Sequence, residues 1–439
     1  MNMREMKDSG IEWIKHIPIE WESKTIRHLL ISRDGGAWGE DVPDGETGTI
    51  CMRIADFEYE KGCFKDSPLD SLTKRRYMDY QIKRLKLEKG DILIEKSGGG
   101  EKTPVGRSVI FDKGYFALFA NFMERLRFNP STILSEYVEY WLRTWYSCRC
   151  SPFYINQTTG IQNLNLTLML AKERIFYPNI HEQSRIVSYL DTKCSEIDAL
   201  VADIQKQIDT LEEYKRSVIT EAVTKGLAPD VEMRESGIDT FDFIPKHWEV
   251  LKIKWLLRER NERSVSGEEE PLSMSQKFGI IPTSQMDIIP NMASSFVGAK
   301  ITHIDDLVFN KLKAHLGVFA VSKYYGLVSP DYAVYFTSGK SIVKYLEFLF
   351  KTDNCISEFK RRSTGVGAGL TRLYTSDLFD IKVPIPPISE QMEIAKHLDC
   401  KISEINLAIS EKHQQIETIE EYKKSLIFEY VTGKKEVTQ

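Results

Sequence analysis

The chain has 439 residues, 42% of them hydrophobic, and carries 59 Lys and Arg against 64 Asp and Glu, for a net charge of -5. That length and apolar content suit two ordinary domain cores plus something elongated and exclude one compact domain. The N-terminus is charged from Arg4 onward and no apolar run approaches the ~20 residues of a bilayer crossing, so a soluble, cytoplasmic protein is expected.

The first motif, MKDSGIEWIKHIPIEWE from Met6, returns as MRESGIDTFDFIPKHWE from Met233. After it come variable segments, residues 23 to 180 and 250 to 387, that read as mixed α/β at normal domain size. In the first, KGDILIEKSGGG from Lys89 is a strand running into a glycine-rich turn, and YVEYWLRTWY is a helix with an aromatic face. From Lys74 to Lys96 eight basic residues, Lys74, Arg75, Arg76, Lys83, Arg84, Lys86, Lys89 and Lys96, stand against four acids. This local surplus suits phosphate contacts, although a solvated face would look the same. The loop that follows presents Lys96, Ser97, Lys102, Thr103 and Arg107. It is no phosphate-binding P-loop, because Glu101 stands where glycine must precede the lysine.

A second repeated block begins at His181, where HEQSRIVSYLD matches SEQMEIAKHLD from Ser389; LEEYKRSVITEAVTKG from Leu211 then matches IEEYKKSLIFEYVTGK from Ile419. Apolar residues at Ile186, Leu190, Cys194, Ile197, Val201, Ile204, Ile208 and Leu211 alternate steps of three and four, which predicts a long helix with a coiled-coil seam. The second copy keeps the seam at Ile394, Leu398, Ile402, Ile405, Ile409, Ile416 and Ile419, with Lys412 in place of Ile204. His181 and Ser389 are candidate caps, and Gly226 and Gly433 candidate stops. At 1.5 Å per residue each helix is a rod of about 65 Å, and its own repeat is the nearest partner for its seam.

In the second variable segment, DDLVFNKLKAHLGVFAVS from Asp305 places Asn310, Lys311, Lys313 and His315 at a strand-to-turn stretch, and VKYLEFLFKT reads as a helix. Arg361, Arg362 and Thr364 precede another glycine-rich loop. Lysine, arginine and asparagine are the residue types that reach major-groove base edges, while Asn310 and His315 are equally suited to structural roles. One short scrap survives in both segments, TTGIQNL at Thr158 and STGVGAGL at Ser363, each ahead of the second block. The Trp21 motif repeats at 227 residues (Trp248) and the Glu182 motif at 208 (Glu390), so the second variable stretch is 19 residues shorter.

Catalysis by this chain is not expected. SPFY at Ser151 and SPDY at Ser329 each lack the second proline of an adenine amino-methyltransferase tetrapeptide, and neither follows a glycine-rich cofactor turn. Pro229, Asp230 and Glu232 lead into Met233, where a nuclease core needs a lysine. Eight isolated histidines and seven scattered cysteines without a CxxC pair suggest neither a metal site nor a disulfide framework.

The two duplicated blocks, in this order and covering essentially the whole chain, resemble the specificity subunit of type I restriction-modification systems. The resemblance rests on Met6 to Trp21 and Met233 to Trp248, on Glu182-Gln183-x-x-Ile186 and Glu390-Gln391-x-x-Ile394, and on Glu212 to Gly226 and Glu420 to Lys434. Lys15 and Asp242 depart from it at a position commonly glycine. It implies an α/β (α+β) fold in which two globular target-recognition domains are separated by two long helices packed as an antiparallel coiled coil with pseudo-two-fold symmetry. The expected division is recognition domain 1 at 1–180, a long helix at 181–226, linker and recognition domain 2 at 227–388, and a second long helix at 389–435. The resemblance further implies a non-catalytic reader of double-stranded DNA, each domain reading one half of a bipartite asymmetric site. Two modification (methyltransferase) subunits and restriction (translocase and nuclease) subunits would dock on the helices. S-adenosylmethionine, ATP and Mg belong to those partners, and no cofactor or metal to this chain. A scaffold that binds partner subunits without reading DNA, and an autonomous methyltransferase or nuclease, are the alternative readings.

Overall fold

The computed structural model describes residues 4–158, 160–275, 278–286, 295–365 and 371–437. The chain divides into two compact units, Met1–Ile204 with Gln414–Gln439, and Gln205–His413. This division cuts across the expected one: instead of standing apart from the recognition domains, each long helix is shared out, half to each unit.

In the first unit the sheet contains β1 (Leu30–Gly35), β2 (Ile92–Glu95), β3 (Ser108–Ile110) and β4 (Met123–Phe128), in the order β3-β2-β4-β1 with every pair antiparallel. α1 (Ser135–Ser147) follows, then a hairpin of β5 (Ile155–Thr158) and β6 (Ile161–Leu164), then the long helix α2 (Ile180–Lys225). The second unit contains β7 (Leu257–Glu259), β8 (Leu307–Asn310), β9 (Phe319–Val321) and β10 (Tyr332–Thr337), in the order β9-β8-β10-β7. α3 (Val343–Phe350), the short pair β11 (Thr364–Gly365) and β12 (Thr371–Arg372), and the long helix α4 (Ile388–Val431) complete it. Segments that share only scraps of sequence therefore carry the same sheet topology. A sheet needs alternating apolar faces, and many residue sets supply them.

One polar device survives in altered form. Asp91 and Asp306, both buried at the start of the second strand, take a two-pronged arginine bond: Arg127 at 2.7 and 2.8 Å in one unit, Arg260 at 2.7 and 3.0 Å in the other. Arg127 belongs to β4, whereas Arg260 lies just past β7 and stacks on Phe336 of β10. A buried carboxylate requires a partner, which comes from the adjacent strand in one unit and from two strands away in the other.

The repeated motifs converge in each unit. The first motif is a hairpin, Met6–Asp8 with His16–Pro18 and Met233–Ile238 with Phe241–Pro245. It delivers Trp21 and Trp248 to cores that also hold Tyr137, Leu190 and Val431, and Tyr345, Leu398 and Val223, respectively. Lys15 sits in this hairpin with φ 64°, the left-handed conformation that favours glycine. Gln183 is fully buried; its Oε1 accepts from Leu134 N–H at 2.9 Å while its Nε2 donates to Thr132 O at 3.2 Å and Pro178 O at 2.8 Å. Gln391 makes the same set: it accepts from Ile342 N–H at 2.8 Å and donates to Lys340 O at 3.4 Å and Pro386 O at 2.8 Å. Each glutamine thus caps the start of α1 or α3 and ties it to a long helix. The tyrosine hydroxyls repeat too, Tyr137 donating to Phe176 O and Val431 O, Tyr345 to Pro384 O and Val223 O.

Within each unit the two helical segments run antiparallel. In the first, Tyr189 packs on Tyr430 at 4.6 Å and Lys423 pairs with Asp198 at 2.6 Å. In the second, Lys412 donates to Gln207 at 2.6 Å and Lys215 to Asn406 at 3.2 Å. The caps differ from expectation. Asn179, not His181, accepts from Glu182 N–H at 3.1 Å, because α2 already runs at Ile180; α4 likewise starts at Ile388, ahead of Ser389. Gly226 (φ 81°) and Gly433 (φ 70°) end the helices in left-handed turns, and a Cβ on Gly433 would lie 2.4 Å from Pro18. No helix among the described residues is long and apolar enough to cross a membrane.

Candidate nucleic-acid interface

In the first unit β2 is followed directly by Lys96, whose carbonyl accepts from Leu164 N–H of the hairpin at 2.8 Å. Ser97 and Gly98 pair with Asn163 and Gln162 of β6, and the Ser97 hydroxyl reaches Asn163 Oδ1 at 2.5 Å. The glycine-rich turn and the TTGIQNL scrap, read separately in the sequence, are one structure. Two of its glycines are required: Gly98 has φ 120°, and Gly99 has φ 64° with a Cβ there meeting Val105 N at 2.8 Å. Gln162, buried, closes the turn by accepting from Val105 N–H at 3.2 Å. Lys102 and Thr103 stand exposed on the loop. Lys96 lies 3.8 Å from Glu124 of β4, a buried carboxylate that is also paired with Arg33.

Arg107 is directed inward, bonded to the buried Glu95 at 3.0 and 3.3 Å and stacked 3.7 Å from the Tyr59 ring centroid. Burial raises the Glu95 pKa against the pull of Arg107, and burial with the Glu95 charge holds the Tyr59 phenol protonated. Lys74, Arg75 and Arg76 lie along a different sheet, where the strand Lys74–Arg75 pairs with Thr49–Met52. Lys74 and Arg76 are exposed; Arg75 stacks on Trp38 at 4.8 Å and pairs with Asp41.

The second unit repeats the junction. The Lys311 carbonyl accepts from Leu373 N–H at 2.9 Å, so Lys311 and β12 stand as Lys96 and β6 do. Asn310 Oδ1 accepts from Leu312 N–H at 3.1 Å and shapes the turn, and His315 Nδ1 is 3.4 Å from Thr371 Oγ1. Lys313 and Thr364 are exposed. Arg361 and Arg362 both bond Glu358, at 2.8 and 2.5 Å. The second glycine-rich loop, at 366–370, lies outside the described residues. Sequence reasoning missed Asn163, Glu124, Lys300 and Arg372. For Asn163 the repeated scrap was the available signal, since it precedes Leu164 there; Arg372 precedes Leu373, the leucine that bonds Lys311, but lies past the end of the scrap.

The seam residues face inward. Ile186, Leu190, Ile197 and Ile204 are buried in the first unit, and Val201, Ile416 and Ile419 half-buried; in the second, Ile208, Ile394, Leu398, Ile405 and Ile409 are buried, and Leu211 and Ile402 half-buried. They hold helix to helix, whereas Tyr214 and Tyr422, at equivalent positions of the EEYK motif, are 54% and 58% exposed. Among the described residues no group of His, Cys, Asp and Glu could hold a metal ion.

The family model for the type I restriction modification DNA specificity domain matches residues 20–210 and 245–420. A Methanocaldococcus jannaschii protein named for a type I restriction enzyme MjaX specificity subunit is 26% identical over 433 residues, 96% of this chain and 95% of the relative. The type I restriction enzyme MjaVIII specificity subunit of the same organism is 24% identical over 310 residues, 67% of this chain and 70% of that one. Among solved structures, a chain from a type I restriction-modification complex aligns over 95% of this chain and 99% of its own with TM-score 0.67 and 12% identity. The HsdS subunit of Thermoanaerobacter tengcongensis aligns over 95% and 98% with TM-score 0.50 and 12% identity, a likeness of fold. The chain belongs to the type I restriction-modification specificity subunit family.

Proposed function

Proceeding from that membership, we propose that each unit reads one half of a bipartite, asymmetric site on double-stranded DNA, and that the chain itself catalyses nothing. The long helices fix the spacer between the half-sites and dock two modification subunits, with restriction subunits joining the same assembly. S-adenosylmethionine, ATP and Mg act on those partners. Contacts to DNA fall to Lys96, Ser97, Lys102 and Thr103 at one junction and to Asn310, Lys311, Lys313, His315 and Thr364 at the other. Lys74, Arg75, Arg76, Arg361 and Arg362 provide further positive charge, and Arg107 acts by bracing the first loop.

The observation that most supports this reading is the shared junction: a lysine after the second strand, bonded through its carbonyl to a leucine of the hairpin, at 2.8 Å in one unit and 2.9 Å in the other. The same backbone presents different side chains, which is what two readers of unlike half-sites require. Mapping methylated adenines in a strain with and without this chain tests it. Loss of methylation at one bipartite motif is the expected result. An unchanged methylome, together with no retention of duplex DNA by the chain and its modification subunit, would leave a scaffold instead.

A further inference from the structure

Lys96 and Lys311 occupy one place in two copies of the fold, yet their surroundings differ in charge. Beside Lys96, the β4 residue opposite Ile94 is Glu124, which pairs with Lys96 at 3.8 Å and also with Arg33 of β1, and the hairpin contributes the neutral Asn163. Beside Lys311, the β10 residue opposite Phe309 is Ala333, and the hairpin contributes Arg372. Lys300 arrives from another strand, donating to Tyr332 O at 2.8 Å, one rung across from Asn310, with Glu259 at 3.5 Å. Arg372 donates to Asp331 Oδ1 at 3.0 Å, while its Nε is buried without a hydrogen-bond partner among the described residues. The half-buried Lys311 ammonium has no hydrogen bond or ion pair among the described residues, and Lys313 is exposed two residues on.

Three cations thus meet two acids, Glu259 and Asp331, both already engaged. Burial first, then the charges of Lys300 and Arg372, push the Lys311 pKa down against the opposing pull of Glu259 and Asp331. An unpaired, part-desolvated ammonium among like charges is unfavourable, and an anion relieves it. Oxygen-rich anions with several acceptors suit a lysine and an arginine fork together.

We infer that Lys311, Arg372 and Lys313 form a site for a phosphodiester of the DNA backbone, and that the equivalent Lys96, which already has an ion-pair partner in Glu124, holds none. This rests on the DNA-reading function and divides it: the second unit anchors the backbone at its junction, whereas the first offers hydrogen-bonding groups there. The full-length chain is titrated with a labelled mixed-sequence duplex over a salt series. Lys311→Met should weaken binding about five-fold and reduce the slope of log K against log salt by about one contact, whereas Lys96→Met should leave that slope at the parent value. Arg372→Gln should lower the slope as well, and Lys311→Arg should restore it. Binding by the parent chain should also take up protons at alkaline pH, seen as heats that vary with buffer ionisation, and Lys311→Met should abolish this. A Lys311→Met chain that melts normally yet keeps the parent slope, or a Lys96→Met chain that loses as much, overturns the inference and leaves DNA reading intact. A parent chain that binds no duplex at any salt overturns both.

Discussion

Gln183 and Gln391 make the same three hydrogen bonds, and Tyr137 and Tyr345 the same two, in units whose variable stretches share only scraps of sequence. Lys96 and Lys311, by contrast, share one backbone bond and differ in every charged neighbour. The frame repeats down to individual atoms because each buried polar group in it has only one way to be satisfied. The junction, which we propose reads DNA, repeats only in backbone, because the strand-to-hairpin bond that forms it needs no particular side chain and many residues are compatible with it.

The largest effects should come from the frame and be equal in the two units. Gln183→Ala or Gln391→Ala strands a buried N–H and two carbonyls, so each should destabilise its own unit by about 3 kcal/mol in denaturant unfolding. A large loss in one and none in the other would break the comparison. The EEYK lysine should separate the units next. Lys423 is buried, bonded to Asp198 of the facing helix at 2.6 Å and Glu60 O at 3.1 Å, whereas Lys215 is more exposed, pairs with Glu212 of its own helix at 2.6 Å and meets only the neutral Asn406 across the seam. Lys423→Met should therefore cost about 2 kcal/mol and Lys215→Met under about 1 kcal/mol.

Acidity separates them further. Glu139 of α1 is buried, its Oε1 lacks a hydrogen-bond partner among the described residues, and burial, outweighing Arg143, raises its pKa from 4.5 to about 7. The folded first unit therefore holds a proton that the unfolded chain has released. Its stability falls as pH rises from 4.5 and levels off above about 7. Glu347, at the matching place in α3, is clamped by Lys344 at 3.0 Å and Lys351 at 2.7 Å; although burial opposes them, these lysines lower its pKa, so its contribution is present above the unfolded value and lost as pH falls through the folded one. Glu139→Gln should stabilise at pH 8 by roughly 1–2 kcal/mol and do little at pH 5, and Glu347→Gln should destabilise at pH 8. Thermal melts at the two pH values decide it. The smallest effect belongs to Lys15: releasing its left-handed strain, Lys15→Gly should gain about 0.5 kcal/mol or less.

The frame was legible in the sequence because duplication prints each buried contact twice. The apolar seam, the Gln of the Glu-Gln pair and the terminal glycines announced the helices and their ends to within a few residues. Helix caps were less legible, since Asn179 lies outside the repeated block. The division into units was barely legible: the first seam carries no mark at Ile204, and in the second only the polar Lys412 interrupts it beside His413, where one unit gives way to the next. At the junctions, basic residue type pointed to Lys96 and Lys311 but equally to Arg107, whose partner Glu95 lies twelve residues away in sequence and directly beside it in the sheet. Arg372 and Glu124 were invisible for the same reason: strand pairing, not sequence distance, sets which charges meet.

The most direct test of a repeated frame around two independent readers is to exchange residues 250 to 370 for the corresponding segment of another family member and map methylated adenines in cells carrying the partner subunits. One half-site should change to that of the donor, with the other half-site and the spacer unchanged. Retention of both original half-sites, or a change in both, would contradict the account.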